Sequence, residues 1–105
     1  MKRDTLDFEG FFDVRLTTDD AQGAQMTLSP GQSTGGPDNR HAESDQWCYV
    51  VSGSGWATVD GEEVRLDEGD LVVIEAGETH EIGADGDGPL ETLNVYVPPR
   101  STIAD

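Results

Sequence analysis

Two imidazoles occur in this chain, His41 and His80, and each borders a run with strand character. His41 lies in Asn39-Arg40-His41-Ala42-Glu43-Ser44-Asp45-Gln46, directly ahead of the apolar run Trp47-Cys48-Tyr49-Val50-Val51. His80 follows Gly69-Asp70-Leu71-Val72-Val73-Ile74-Glu75-Ala76-Gly77-Glu78-Thr79. Neutral imidazole nitrogen is a good ligand for divalent transition metals, and two such rings at the mouths of strands can meet in one pocket. Taken singly, His41 is equally well explained by a hydrogen bond to a neighbouring carboxylate such as Glu43, and His80 by a hydrogen-bonded place in a barrel wall.

The elements that must position these side chains are strands. Nothing in the sequence carries a long apolar stripe of helical period, and turn residues recur at intervals of roughly ten, the pattern of an all-β sandwich or barrel. Strands are expected at 11–17, 24–29, 47–52, 55–59, 63–66, 71–74, 79–83 and 90–97. Asp60-Gly61 between two such runs is a strong type I′ hairpin signal, because both residues accept a positive backbone angle. The stretch from Pro30 to Asn39 is a turn-rich loop leading into the site. With 105 residues, one domain over 1–105 is expected.

Alternation along 46–51 adds a quaternary expectation. If Gln46 points inward, so do Cys48 and Val50, and Trp47, Tyr49 and Val51 face outward. With 71–74 apolar on both faces, the outside of the sheet needs a cover, and a second subunit making a homodimer is the simplest one. The alternative cover is the N-terminal segment around Phe8, Phe11 and Phe12.

Charge excludes whole classes of partner. The chain has 22 acidic against 6 basic residues, a formal net charge of −16. Such a surface repels nucleic acid and anionic membrane. The apolar residues fall in glycine-bounded blocks, unlike a disordered acidic chain, so a halophilic, salt-adapted acidic protein is the expectation. The lone Cys48 cannot form an intrachain disulfide; the N-terminus lacks the apolar core of a signal peptide, and no stretch is long enough to span a bilayer. A soluble cytoplasmic protein is expected.

The order of residues over about 24–98 resembles a small single-domain cupin. Gly69, Gly77 and His80 match the spacing of that family's second motif, with Glu75 at its proline and Ala84 at its asparagine position. The best register of the first motif puts Asn39 and His41 at its two histidine positions, Gln46 at its glutamate and Gly53 at its glycine. The resemblance implies an all-β double-stranded β-helix, or jelly-roll barrel, with motif residues entering the barrel as metal ligands. The implied set is His41, His80, Gln46 and Asn39, around a divalent transition metal among Zn, Ni, Fe, Mn and Cu.

Two of these four are amides, which donate less charge than a carboxylate; this lowers the expected affinity and leaves the ion more Lewis-acidic. Isomerase, lyase or dioxygenase chemistry on a small polar substrate fits such a site. A non-catalytic ligand-binding or sensor protein, with or without metal, is the alternative. Glu43 and Glu78 are candidate general bases, Glu81 is expected to point away from His80, and Cys48 is either small core filler or a soft ligand.

Overall fold

The computed structural model describes residues 1–35 and 43–100. It contains eight strands, β1 Phe12–Thr17, β2 Gln22–Leu28, β3 Asp45–Ser52, β4 Gly55–Val59, β5 Glu62–Leu66, β6 Leu71–Ile74, β7 His80–Ala84 and β8 Leu90–Val97. They form a five-stranded sheet in the order β1-β2-β8-β3-β6 and a three-stranded sheet in the order β5-β4-β7. All pairs are antiparallel. The eight-stranded, all-β reading of the sequence therefore holds.

Local chemistry fixes the turns. Asp60 and Gly61 both take positive φ, 47° and 83°, as a type I′ hairpin between β4 and β5 requires. Gly53 has φ of +88°, and a Cβ there would stand 2.2 Å from the Pro89 carbonyl oxygen, so only glycine lets this turn pass the start of β8. β2 starts two residues earlier than the apolar pattern suggests. Gln22 and Gly23 already pair with Tyr96 and Val95, and the tight Thr18–Ala21 turn delivers the chain straight into that ladder.

The inner face of the larger sheet is built in rows. Gln22, Tyr96, Gln46 and Ile74 lie side by side across β2, β8, β3 and β6; Ala24, Asn94, Cys48 and Val72 form the next row. Leu28 and Leu90 close the far end. From β4, β5 and β7, Ala57, Leu66, Ile82 and Ala84 pack into the same core as Met26, Leu28, Val50 and Leu90. A Cβ on Gly55 would meet Leu90 at 3.1 Å, which sets Gly55 and its partner Ala84 at the apolar end of the barrel. His80 stands at the opposite end of β7, beside Val59, so it shares its end with Gln46, Tyr96 and Gln22.

The outer face is divided. Over β2 the N-terminal segment is tied down: Gln25 Oε1 accepts from the backbone N–H groups of Asp7 and Phe8, both at 3.1 Å, and its Nε2 donates to Asp7 Oδ1 at 2.8 Å. Thr27 Oγ1 donates to the Phe8 carbonyl at 3.0 Å, and Arg15 reaches Asp4 at 2.9 Å. Over β3 and β6 the face is open. Trp47, Tyr49, Leu71 and Val73 are between 41% and 60% exposed and pair directly, Trp47 with Val73 and Tyr49 with Leu71. Trp47 and Tyr49 thus face outward and Gln46, Cys48 and Val50 inward, as alternation requires.

Candidate metal and ligand site

Two sets of loop contacts hold Gln46 and His80 at one end of the barrel. Asp45 Oδ1, at the start of β3, accepts from the Ala76 N–H at 2.8 Å, and Ser44 Oγ donates to the Pro98 carbonyl at 2.8 Å. Asp45 therefore fastens the mouth of β3 to the turn that leads into β7. In that turn Glu78 Oε1 accepts from the Glu75 N–H at 2.7 Å, while Gly77 takes φ of +88°. Asp60 Oδ1 then accepts from both the N–H and the hydroxyl of Thr79, at 2.8 and 3.1 Å. The residue before His80 is thereby anchored to the β4–β5 hairpin, which sets His80 inward and 3% exposed.

Gln46 is equally buried and its amide is oriented by a polar relay on the inner face. Gln46 Nε2 donates to Asn94 Oδ1 at 2.9 Å, and Asn94 Nδ2 donates to Thr92 Oγ1 at 2.9 Å. With its nitrogen committed to Asn94, Gln46 presents its carbonyl oxygen, and among the described residues that buried oxygen has no donor. Leaving such an acceptor without a donor costs about 1–3 kcal/mol in a protein interior. Burial pushes the Cys48 thiol up to about 11, only partly opposed by the Thr92 hydroxyl. It is a neutral thiol at physiological pH, a packing group rather than a thiolate ligand or nucleophile.

The expected site residues divide as follows. His80 and Gln46 stand at the same end of the barrel; His41 and Asn39 lie outside the described residues. Glu78 caps the turn before β7, and Glu43 is exposed. Glu81 accepts a hydrogen bond from Ser33 at 3.1 Å on the face opposite His80's. Among the described residues no Asp or Glu is buried, and no three His, Cys, Asp or Glu side chains are grouped to hold an ion.

Sequence reasoning missed Gln22, Thr92, Asn94 and Tyr96. In β8 the outward Leu93, Val95 and Val97 are more apolar than the inward Thr92 and Asn94, so period-two alternation favoured the wrong face; the pairing of Cys48 with Asn94 supplies the right one. Above this end Arg100 stacks its guanidinium over Tyr96 and Phe12, 4.8 and 5.1 Å from the ring centroids.

The model of the cupin domain matches residues 24–96. This chain belongs to the cupin family. Among curated cupin relatives, the tetracenomycin polyketide synthase protein TcmJ of Streptomyces glaucescens is 36% identical over 68 residues, 65% of this chain and 44% of that protein. Gentisate 1,2-dioxygenase of a Ralstonia species is 36% identical over 73 residues, 70% of this chain and 20% of the enzyme. The chain thus spans less than half the length of either. Among solved structures, KdgF from a Halomonas species superposes with a TM-score of 0.78 at 26% identity, covering 94% of this chain and 89% of the other. No helix among the described residues is long and apolar enough to cross a membrane.

Proposed function

We propose that this cupin binds a small polar molecule at the polar end of its barrel through a divalent transition metal held by His80, Gln46, His41 and Asn39. The observation that carries this reading is the Gln46 carbonyl: buried, turned by Asn94, and supplied with no donor among the described residues. An amide oxygen and an imidazole are a donor set that a borderline divalent ion accepts, so the residues present fit such a group. What an ion would supply there is Lewis acidity toward a carbonyl or hydroxyl oxygen. The chain's own contribution is to orient the amide through Asn94 and to anchor His80 through the Asp60–Thr79 contacts. Isomerase, lyase or dioxygenase chemistry fits this arrangement, and one relative is named a dioxygenase.

A non-catalytic binding or sensor role is favoured by a separate observation. Among the described residues no carboxylate is buried, so none stands inside the barrel as a general base beside His80. Elemental analysis of protein purified without chelator or nickel resin tests the metal reading. It is expected to give close to one equivalent of metal, lost in both His41→Ala and His80→Ala. Wild-type content no higher than that of the two variants contradicts it.

The same reading includes a homodimer through the open face of β3 and β6. Trp47, Tyr49, Leu71 and Val73 form a charge-free patch on a chain of net charge −16, and the N-terminal segment is committed to β2 by Gln25 and Thr27. Repeated about a two-fold axis, the patch is complementary to itself. Sedimentation at molar KCl is expected to give a dimer, and Leu71→Glu a monomer; a wild-type monomer at every salt concentration overturns this. The acidic surface fits a salt-rich, intracellular setting. The melting temperature is then expected to rise from low to molar KCl as the charges are screened.

A further inference from the structure

We propose that Gln22 is a second ligand-binding residue at the polar end of the barrel, and that beside the metal held through Gln46 it selects a small neutral molecule carrying a hydroxyl donor. This rests on reading that end as a ligand site and adds to it the chemistry of what enters. The two glutamines lie in one row, flanking Tyr96: Gln22 pairs with Tyr96 on one side and Gln46 on the other. Neighbouring strands are about 4.8 Å apart, so the two amides start from backbone positions roughly 10 Å apart, with the Tyr96 ring between them. Gln22 is 6% exposed, and its Oε1, like that of Gln46, is buried with no donor among the described residues.

Folding does not require an amide here. The other inward residues of β2 are Ala24, Met26 and Leu28, and a methionine at position 22 would continue that face at nearly the same volume. Gln25, one strand face away, is the control within the same element: both ends of its amide are engaged by Asp7 and Phe8. Buried polar groups in folded proteins are nearly always paired, so with the Gln46 oxygen assigned to the metal, the unmatched Gln22 oxygen in the same row marks where a donor arrives with a ligand. An amide oxygen can only accept. A carboxylate offers it no proton, and an ammonium group would bring a second cation beside the metal. A neutral hydroxyl group satisfies the Gln22 oxygen, and that of Gln46 is left to the metal.

The test uses the full-length protein with its metal, xylitol and D-xylose as probes, and the variants Gln22→Met and Gln25→Met. In NMR titrations the wild type is expected to show saturable shifts at the amides of Gln22, Tyr96 and Gln46. Gln22→Met is expected to bind about tenfold more weakly or worse, the effect of one lost buried hydrogen bond, with unchanged metal content. Its melting temperature in the absence of probe should equal or exceed that of the wild type, whereas Gln25→Met should melt lower. A Gln22→Met protein that melts several degrees low would make the amide structural and overturn the proposal, as would wild-type affinity in that variant. Saturable binding of neither probe by the metal-loaded wild type also overturns it while leaving the metal reading standing; a wild type without metal fails at the earlier step.

Discussion

Gln25 and Gln46 are both buried amides on strands of the same sheet, yet they do opposite things. Gln25 faces outward, and every polar contact it makes is with its own chain: two backbone N–H groups and one carboxylate close on it and fasten the N-terminal segment to β2. Gln46 faces inward, and only its nitrogen is used. The difference teaches that burial of a polar side chain does not mark a site. What marks it is a buried acceptor whose orientation the fold has fixed and whose partner the fold does not supply.

The largest expected effect comes from removing the fastener. Gln25→Ala strips three hydrogen bonds and leaves a cavity beside β2, so it should cost about 2–3 kcal/mol, each bond contributing about 1 kcal/mol. For a domain of this size that is a fall in melting temperature on the order of 10 °C. Calorimetry should record the loss, amide exchange should place it at residues 6–10, and metal content should not change. A Gln25→Ala protein that loses its metal would break the separation between the two faces.

Next comes the relay. Asn94→Leu keeps the volume of the inner face but frees the Gln46 amide to turn, and removing an outer partner of this kind costs roughly 10- to 100-fold in metal affinity. Competition with a chelator measures it. Affinity equal to wild type would mean that Asn94 does not set the direction of the Gln46 carbonyl.

The smallest effect concerns pH and the outer face alone. The Arg15 hydrogen bond holds the Asp4 carboxyl below its ordinary value of 3.8, and the Gln25 amide does the same for Asp7. Because the folded-state values are depressed, the contribution is complete above the ordinary aspartate range and is lost as pH falls through the lowered values. Both groups are exposed and screened. Amide exchange at Phe8 and Glu9 should therefore accelerate below about pH 3.8, ahead of any change in β3 or β8. Simultaneous loss of protection in the barrel would contradict a segment held by its own local contacts.

Much of this was legible in the sequence, and the limits have physical causes. The eight strands, the Asp60-Gly61 hairpin and the outward set of Trp47 and Tyr49 follow from period-two patterning and turn chemistry, which are local properties. Gln46 and His80 were legible because motif spacing names them. Gln22, Thr92 and Asn94 were not, because their significance depends on register between strands far apart in the chain. Only the β2–β8–β3 pairing puts Asn94 against Cys48 and Tyr96 between two glutamines. Asp45, Asp60 and Glu78 read as ordinary carboxylates of an acidic surface, yet each caps a backbone group that positions the site. A solvated carboxylate and a capping one look alike until the turn they close is known.

The most direct test of the inward-facing carbonyl as a ligand is calorimetric titration of metal-stripped protein with Zn2+ and, separately, Ni2+, comparing wild type, Gln46→Met and Gln25→Met. The expected result is at least about a tenfold loss of affinity, 1.4 kcal/mol, for Gln46→Met, and wild-type affinity for Gln25→Met in spite of its lower melting temperature. Equal affinity in wild type and Gln46→Met would contradict the assignment of that oxygen to the site.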